Sequence, residues 1–424
     1  MSFQDMDVFS GHLVLSITKD GLPLLCSINL PINHHCKHPA VLEELNPWFF
    51  PLPSNLCSIL PGSNHDFMNP VYRTVLSSPV MPDLIVDYDL SRRTFSIVHQ
   101  EVVKGASLPS GSSSSVDAKK TLYPLSSKEI KDENIIEFEM HRWKEVSDIY
   151  CCERREVASH DGVKVPLTIL YSKEAWRQGQ SPGLLHVYGA YGEVLDMTWC
   201  PNRLSLLDRG WLLAFADVRG GGGAGSSWHE AGRGCDKENS VYDFASCGKY
   251  LVEEGFIRED RLCAIGSSAG CLPIGATINI YPDLLRAAIL KVPFLDICNT
   301  LLDPELPLTT LDYEEFGNPQ IPSQYESIMR YSPYDNIPSG GCFPSTLVIA
   351  SFLDSRVGVW EAAKWVARVR DHSCSSCSRS VILSTNMAAG HFSEGGQFQH
   401  LKEAAFEYAF LMKVLCIHPS GAFS

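Results

Sequence analysis

The C-terminal two-thirds of the chain alternates apolar segments with helical ones, and this alternation constrains the fold more than any other feature. The pattern begins near Arg142. Apolar segments typical of buried strands lie at 184–187, 211–216, 262–265, 288–290, 346–350 and 381–383. Helical stretches such as 241–254 and 360–370 lie between them. Strands that alternate with helices form βαβ units, so the sequence predicts a doubly wound, mostly parallel α/β sheet.

The N-terminal part of the chain has a different pattern. Short β-like segments lie at 12–17, 23–28, 83–88 and 94–98. Turn-forming residues at 19–21 and 91–93 separate them, which predicts hairpins of an antiparallel sheet. The serine-rich segment 107–116 has little apolar area to bury and is predicted to be a solvated loop. We therefore expect an antiparallel region over 1–140 and an α/β domain over 141–424.

A nucleophile motif stands at one strand end of the α/β region. Gly266-Ser267-Ser268-Ala269-Gly270 follows a strand that ends at Ile265 and precedes an apolar helical stretch. This is the G-x-S-x-G elbow of α/β-hydrolases in its strand–turn–helix setting, and small residues flank the serine because the turn is tight. Alone, the motif would be read as a Ser/Gly-rich turn. In this setting it predicts Ser268 as a nucleophile at a helix N-terminus.

A serine nucleophile needs a histidine base and a carboxylate that orients it, and in this fold they follow in the order Ser, Asp, His. Asp354 comes just after the strand at 346–350, and His391 comes just after the strand at 381–383. Singly, these would be a loop-capping aspartate and a surface histidine. Their order and setting predict a Ser268–Asp354–His391 triad.

Composition excludes several classes of function. The formal net charge of −14 argues against nucleic-acid binding, which depends on basic side chains at phosphates. The fifteen cysteines are an odd number, and the N-terminus lacks a secretory pattern, so we expect reduced thiols in a cytoplasmic protein. No apolar run reaches the ~18 residues of a membrane span. The His34–His38 cluster and the Cys374–Cys377 motif lack paired ligand spacing, so no metal and no cofactor are expected.

Six motifs, one of them the elbow described above, carry a family resemblance. They are Tyr188-Gly189-Ala190-Tyr191-Gly192, Val218-Arg219-Gly220-Gly221-Gly222, Gly266–Gly270, Pro307-Leu308-Thr309-Thr310, Glu315-Phe316-Gly317-Asn318-Pro319 and Tyr331-Ser332-Pro333-Tyr334. From about Arg142 onward the chain resembles the prolyl oligopeptidase family, on the branch of oligopeptidase B and the prolyl endopeptidase-like proteins. The resemblance implies an α/β-hydrolase domain with a seven-bladed β-propeller. Only about 130 residues precede the domain, enough for two or three blades, so we expect a partial propeller and a shortened form.

The resemblance also implies roles for individual residues. The Tyr188 hydroxyl and the backbone N–H of Ala269 would form the oxyanion hole. Arg356 and Tyr191 would bind substrate. A further set of carboxylates would pair with basic substrate side chains: Asp196, Asp312 and Glu314. Thr198 stands where a companion of Asp196 is acidic in the family, which weakens preference for a dibasic site. Without the resemblance, the acidic residues at 312–315 would be interpreted as a solvated acidic face.

The expected activity is hydrolysis of peptide bonds in short peptides. An esterase or thioesterase acting on a small acyl substrate is an alternative, because such bonds need less protonation of the leaving group. A non-catalytic adaptor that keeps the fold is another, since fold does not fix function. The sequence names no protein partner.

Overall fold

The computed structural model describes residues 2–19, 22–32, 41–53, 58–100, 149–376, 379–392 and 396–417. Two compact units are present: residues up to 149 together with Met197–Cys200, and the remainder from Tyr150 onward. The loop predicted at 107–116 and the His34–His38 cluster lie outside the described residues.

The first unit contains two four-stranded antiparallel sheets. The strands of one are β1 (Ser2–Phe9), β2 (His12–Lys19), β3 (Leu22–Asn29) and β4 (Trp48–Phe49), in that order. Those of the other are β5 (Ser58–Pro61), β6 (Val71–Ser78), β7 (Met81–Asp89) and β8 (Thr94–Gln100). Every pair is antiparallel, as the hairpin signals predicted. Sheets of four antiparallel strands are the repeating unit of β-propellers.

Alternation along the strands builds the core of this unit. In β7, Leu84, Val86 and Tyr88 are buried, and the residues between them are partly exposed. Because successive strand residues face opposite sides of a sheet, these three share one apolar face. Phe50 stacks on Tyr88 with ring centroids 4.3 Å apart.

The second unit is built on one eight-stranded sheet. Its strands are β9 (Tyr150–Ala158), β10 (Lys164–Ser172), β11 (Gly183–Val187), β12 (Leu212–Ala216), β13 (Leu262–Ser267), β14 (Ala287–Lys291), β15 (Ser345–Ser351) and β16 (Val381–Asn386). Their spatial order is β9-β10-β12-β11-β13-β14-β15-β16. Both neighbours of β10 are antiparallel to it, and all other pairs are parallel. The prediction of a mostly parallel doubly wound sheet is confirmed.

Helices connect the parallel strands and cover the sheet. They are α1 (Pro201–Leu207), α2 (Ser226–Glu230), α3 (Glu238–Glu253), α4 (Cys271–Ile280), α5 (Ile297–Leu302), α6 (Thr309–Phe316), α7 (Pro322–Tyr331), α8 (Val359–His372) and α9 (Gln397–Val414). The central strands are mostly apolar because both faces of a parallel sheet are largely buried. Among the helices of the described residues, none has the length and apolar character needed to cross a bilayer.

Five buried cysteines of the described residues carry free thiols: Cys26, Cys247, Cys263, Cys271 and Cys298. Cys342 is disulfide-bonded, a departure from the expectation of reduced thiols throughout.

A buried ion pair holds the loop after β12 against α3. The Arg219 guanidinium donates two hydrogen bonds to Asp243, of 2.9 and 2.7 Å. It donates another, of 2.6 Å, to Asp161. The Asp243 side chain is fully buried, and only 4% of the Arg219 side chain is exposed. Removal of the arginine would leave a carboxylate buried without its cation, which is strongly unfavourable.

We therefore predict that Arg219→Met lowers the free energy of unfolding by about 3–5 kcal/mol. Chemical denaturation followed by intrinsic fluorescence measures it. Arg330→Met is the matched control, because Arg330 forms an exposed pair with Glu238 and should cost under about 1 kcal/mol. Equal losses in the two variants would contradict the prediction.

Candidate active site

The motif at 266–270 forms a strained turn between β13 and α4. A 3₁₀ turn at Ser268–Gly270 joins the two elements, and Ser268 has a φ of +54°. A Cβ atom on Gly266 would lie 2.4 Å from the carbonyl oxygen of Gly270. One on Gly270 would lie 2.7 Å from the carbonyl oxygen of Val187. Both glycines are therefore required by close backbone approach, as the sequence analysis anticipated for small residues.

The turn places Ser268 at the start of a helical segment. Ala269 is buried directly behind it. The first N–H groups of a helix have no partner within the helix and carry partial positive charge. The Ala269 N–H is one of these groups, so it is available to an anionic oxygen beside Ser268.

The structure brings Asp354 and His391 into contact. They follow β15 and β16, which are adjacent and parallel, so the two strands end side by side. The His391 Nδ1 to Asp354 Oδ2 distance is 2.7 Å. Burial opposes ionisation of Asp354, but hydrogen bonds from His391 and from the Val357 and Arg356 N–H groups outweigh it and lower its pKa. An ionised Asp354 fixes the orientation of His391 and leaves Nε2 free to accept a proton.

Ser268 and His391 both line one cavity of about 970 Å³. Within the described residues, no hydrogen bond joins the Ser268 hydroxyl to His391. Catalytic hydrogen bonds are often long before substrate binds and tighten in the complex. The geometry therefore supplies an oriented histidine in the same cavity as the serine.

Tyr188 also lines this cavity. Burial, followed by the charge of Glu193, raises the pKa of Tyr188 to about 12. The phenol therefore stays protonated at neutral pH and can donate a hydrogen bond. Tyr188 comes directly after β11, and Ser268 comes directly after β13. Because these strands are adjacent and parallel, both residues lie at the same edge of the sheet.

The predicted substrate-binding residues divide into two groups. Tyr191, Asp196, Asp312 and Arg356 line the cavity, and Glu314 does not. The Tyr191 hydroxyl donates a 2.9 Å hydrogen bond to Asp312 Oδ1. Burial raises the pKa of Asp312 to about 6, with Tyr191 opposing the shift. Asp312 is therefore mostly ionised at pH 7 and neutral below pH 6.

Glu314 is exposed because it lies two positions after Asp312 on α6. Successive helical residues are rotated by about 100°, so positions i and i+2 face in nearly opposite directions. Glu315 is instead the second buried carboxylate of this helix. The structure thus separates the pair that the resemblance implied.

Sequence reasoning missed the group that supports this end of the cavity. Lys237 is fully buried, and its Nζ donates 2.8 Å hydrogen bonds to Glu315 and to the Gly189 carbonyl. His229 Nε2 lies 2.7 Å from the other Glu315 oxygen. Lys237 also lies 4.8 Å from the centroid of the Phe316 ring. The network ties the Tyr188–Tyr191 loop to α6. A lone lysine belongs to no motif, so only its burial reveals it.

The sheet order, the elbow and the oriented histidine together define an α/β-hydrolase fold with a serine-hydrolase type of site. The profile of the prolyl oligopeptidase family matches residues 199–417. The chain belongs to this family, as the motifs predicted.

Relatives and solved structures are consistent with this assignment. The chain is 40% identical over 267 residues to dipeptidyl aminopeptidase BI of Pseudoxanthomonas mexicana, covering 63% of this chain and 36% of the relative. It is 28% identical over 417 residues to prolyl endopeptidase-like of Xenopus laevis, covering 96% and 52%. Oligopeptidase B from Leishmania major superposes with a TM-score of 0.78 at 27% identity, covering 98% and 52%. The chain thus spans about half the length of these proteins or less.

We predict that Gly270→Ala prevents formation of the elbow. The new methyl group would meet backbone atoms, which cannot move aside as a flexible side chain would. The expected loss of unfolding free energy is about 3 kcal/mol or more, with loss of any serine reactivity. Gly396→Ala is the control, because a Cβ there has no atom within 4 Å. Wild-type stability of Gly270→Ala would contradict the close approach of Gly270 to the Val187 carbonyl oxygen.

Proposed function

We propose that the chain is a serine peptidase that cleaves short peptides by acyl transfer to water. The observation that carries the proposal is the Asp354–His391 hydrogen bond in the cavity that Ser268 lines. Relatives named dipeptidyl aminopeptidase BI and protease 2 support a peptidase. Because the chain spans only part of their length, its activity is a proposal.

The proposed reaction gives each group of the site a defined role. His391 Nε2 accepts the Ser268 proton as the hydroxyl attacks the carbonyl carbon, and Asp354 stabilises the imidazolium that forms. The Tyr188 hydroxyl and the Ala269 N–H hold the oxyanion. His391 then protonates the leaving amine, and water hydrolyses the acyl-enzyme by the reverse sequence of proton transfers.

A fluorophosphonate probe should label the wild type and fail to label Ser268→Ala or His391→Ala. The physical reason is that an unassisted serine hydroxyl is a weak nucleophile. Labelling is measured by intact-protein mass spectrometry. Ser267→Ala is the matched control, because Ser267 is the exposed neighbour in the same motif and its loss should leave labelling intact.

No labelling of a folded wild type would contradict the proposal and favour the non-catalytic adaptor. Where labelling succeeds, matched peptide, ester and thioester substrates separate the peptidase from an esterase or thioesterase. Turnover of the peptide supports the proposal. Turnover of the esters alone contradicts it.

We further propose that Asp312 binds a basic side chain of the substrate. It is a buried carboxylate at the cavity wall, where attraction between charges is stronger than in water. The Glu315 carboxylate is already paired with Lys237, so it contributes less to an incoming cation. Arg356 also lines the cavity, and we propose that it binds a substrate main-chain carbonyl, with Tyr191 packing on the side chain that Asp312 holds. The proposed contribution of Asp196 is a second, weaker attraction.

This proposal predicts that KM for a lysine or arginine substrate falls as pH rises through about 6, because Asp312 becomes ionised over that range. Asp312→Asn should remove the pH dependence of KM and raise KM at pH 7.5 by about tenfold or more. Steady-state kinetics from pH 5 to 8 measure both. Glu314→Gln is the comparison: its side chain is exposed, so we expect less than a twofold change. An equal effect of the two substitutions would contradict the assignment.

A cytoplasmic location is also a proposal. The five buried free thiols support a reducing compartment. The disulfide at Cys342 is the observation against it.

A further inference from the structure

One part of the cavity wall is a row of side chains on the central sheet that the proposed reaction does not use. In the strand register, His186 pairs with Phe215 on β12 and with Ile265 on β13, and Ser267 pairs with Lys291 on β14. Paired residues of neighbouring strands point to the same face. All five line the cavity, together with Arg203 of α1. We call His186, Arg203, Ser267 and Lys291 the polar row.

The polar row lies on the face of the sheet opposite α4. Leu185 and Val187 belong to the core cluster that contains Cys271 and Ile274 of α4, so alternation turns His186 to the other face. On that face, Lys291 forms a 2.6 Å ion pair with Glu407 of α9. Phe316 of α6 packs in the cluster of Leu272 and Ala276 of α4. The helix that carries Asp312 is therefore on the α4 side, and the row is on the α9 side.

His186 presents an unsatisfied polar atom here. Its Nε2 is buried and, among the described residues, has no hydrogen-bond partner. The imidazole ring stacks on Phe215, with centroids 4.5 Å apart. Burial, then the charges of Arg203 and Lys291, lower its pKa to about 3. A buried polar atom left without a partner is costly, so a cavity ligand gains free energy if the imidazole turns to bond with it.

The charges around His186 favour an anion. The Arg203 guanidinium lies over the Phe215 ring at 5.1 Å, and its Nη2 donates a 3.1 Å hydrogen bond to the main-chain oxygen of Asp196. Lys291 adds a second cation, shared with Glu407. A neutral imidazole donates one hydrogen bond and accepts another. A carboxylate fits this set, because it accepts hydrogen bonds from both Arg203 and His186.

The position of His391 indicates which part of a substrate would reach the row. His391 must protonate the leaving group, so the leaving group lies on its side of Ser268. His391 precedes α9 in the chain, and α9 packs on the face of the row through Glu407 and Lys291. We infer that the polar row binds the free α-carboxylate of a short leaving peptide, so that the enzyme removes short C-terminal segments. This inference rests on the proposed function.

The test uses pairs of peptides of three to six residues, each pair identical except for a free or an amidated C-terminus. Cleavage is followed by mass spectrometry. We expect kcat/KM to be about tenfold or more higher for the free carboxylate when one to three residues leave. Arg203→Gln and His186→Phe should each bring the ratio of kcat/KM for the free acid to kcat/KM for the amide close to one. Fluorophosphonate labelling should persist in both variants. Arg330→Gln, an equal loss of charge at the exposed pair with Glu238, should keep the ratio.

The outcomes separate this inference from the proposed function. If the wild type is labelled and cleaves both members of each pair equally, the inference is wrong and the proposed serine peptidase is unaffected. Absence of labelling and cleavage overturns both. An amidated peptide with glutamate in its leaving part tests a side-chain carboxylate as the source. If it is cleaved as fast as the free acid, the assignment to the C-terminus is wrong.

Discussion

The close approach of three backbone segments at the nucleophile is the constraint on which the rest of the site depends. The Gly266 and Gly270 backbones touch, and Gly270 also touches the end of β11 at Val187. Side chains at either glycine would separate β13, α4 and β11. The same contact holds Ser268 at φ +54° and brings Tyr188 to the cavity beside it. Strain of this kind persists only where the surrounding core over-determines it, and most residues of β11 and β13 are buried.

Two buried polar networks hold the loops that this elbow does not reach. Arg219 and Asp243 fix the glycine-rich loop after β12. Lys237 and Glu315 join the loop at Gly189 to α6. Neither network touches Ser268. The second joins the loop and the helix that carry Tyr188, Tyr191 and Asp312, which line the cavity. Because buried charges cost free energy unless they are paired, both networks tolerate little change.

The parts of the structure that were predictable from sequence are those with local signals. Strand–helix alternation and the Gly266–Gly270 motif predicted the sheet and its elbow, because each depends on residues close together in the chain. The resemblance could not show which carboxylate of α6 is buried, because the direction of a side chain depends on helix phase, and the structure leaves Glu314 exposed and Glu315 buried. The unsatisfied Nε2 atom of His186 could not be predicted from sequence either, because its surroundings depend on the register of three strands.

The two sides of the cavity differ in charge, and the proposed chemistry depends on this difference. A substrate whose acyl part carries a cation and whose leaving part ends in a carboxylate would be oriented by attraction at both ends. A substrate that is already oriented when it binds loses less translational and rotational entropy in the chemical step. Asp312 and Arg203 lie on opposite faces of one rigid sheet, so the distance between their partners on a substrate is fixed. Short leaving segments would then end at the polar row, and a chain too long to end there would forgo that attraction.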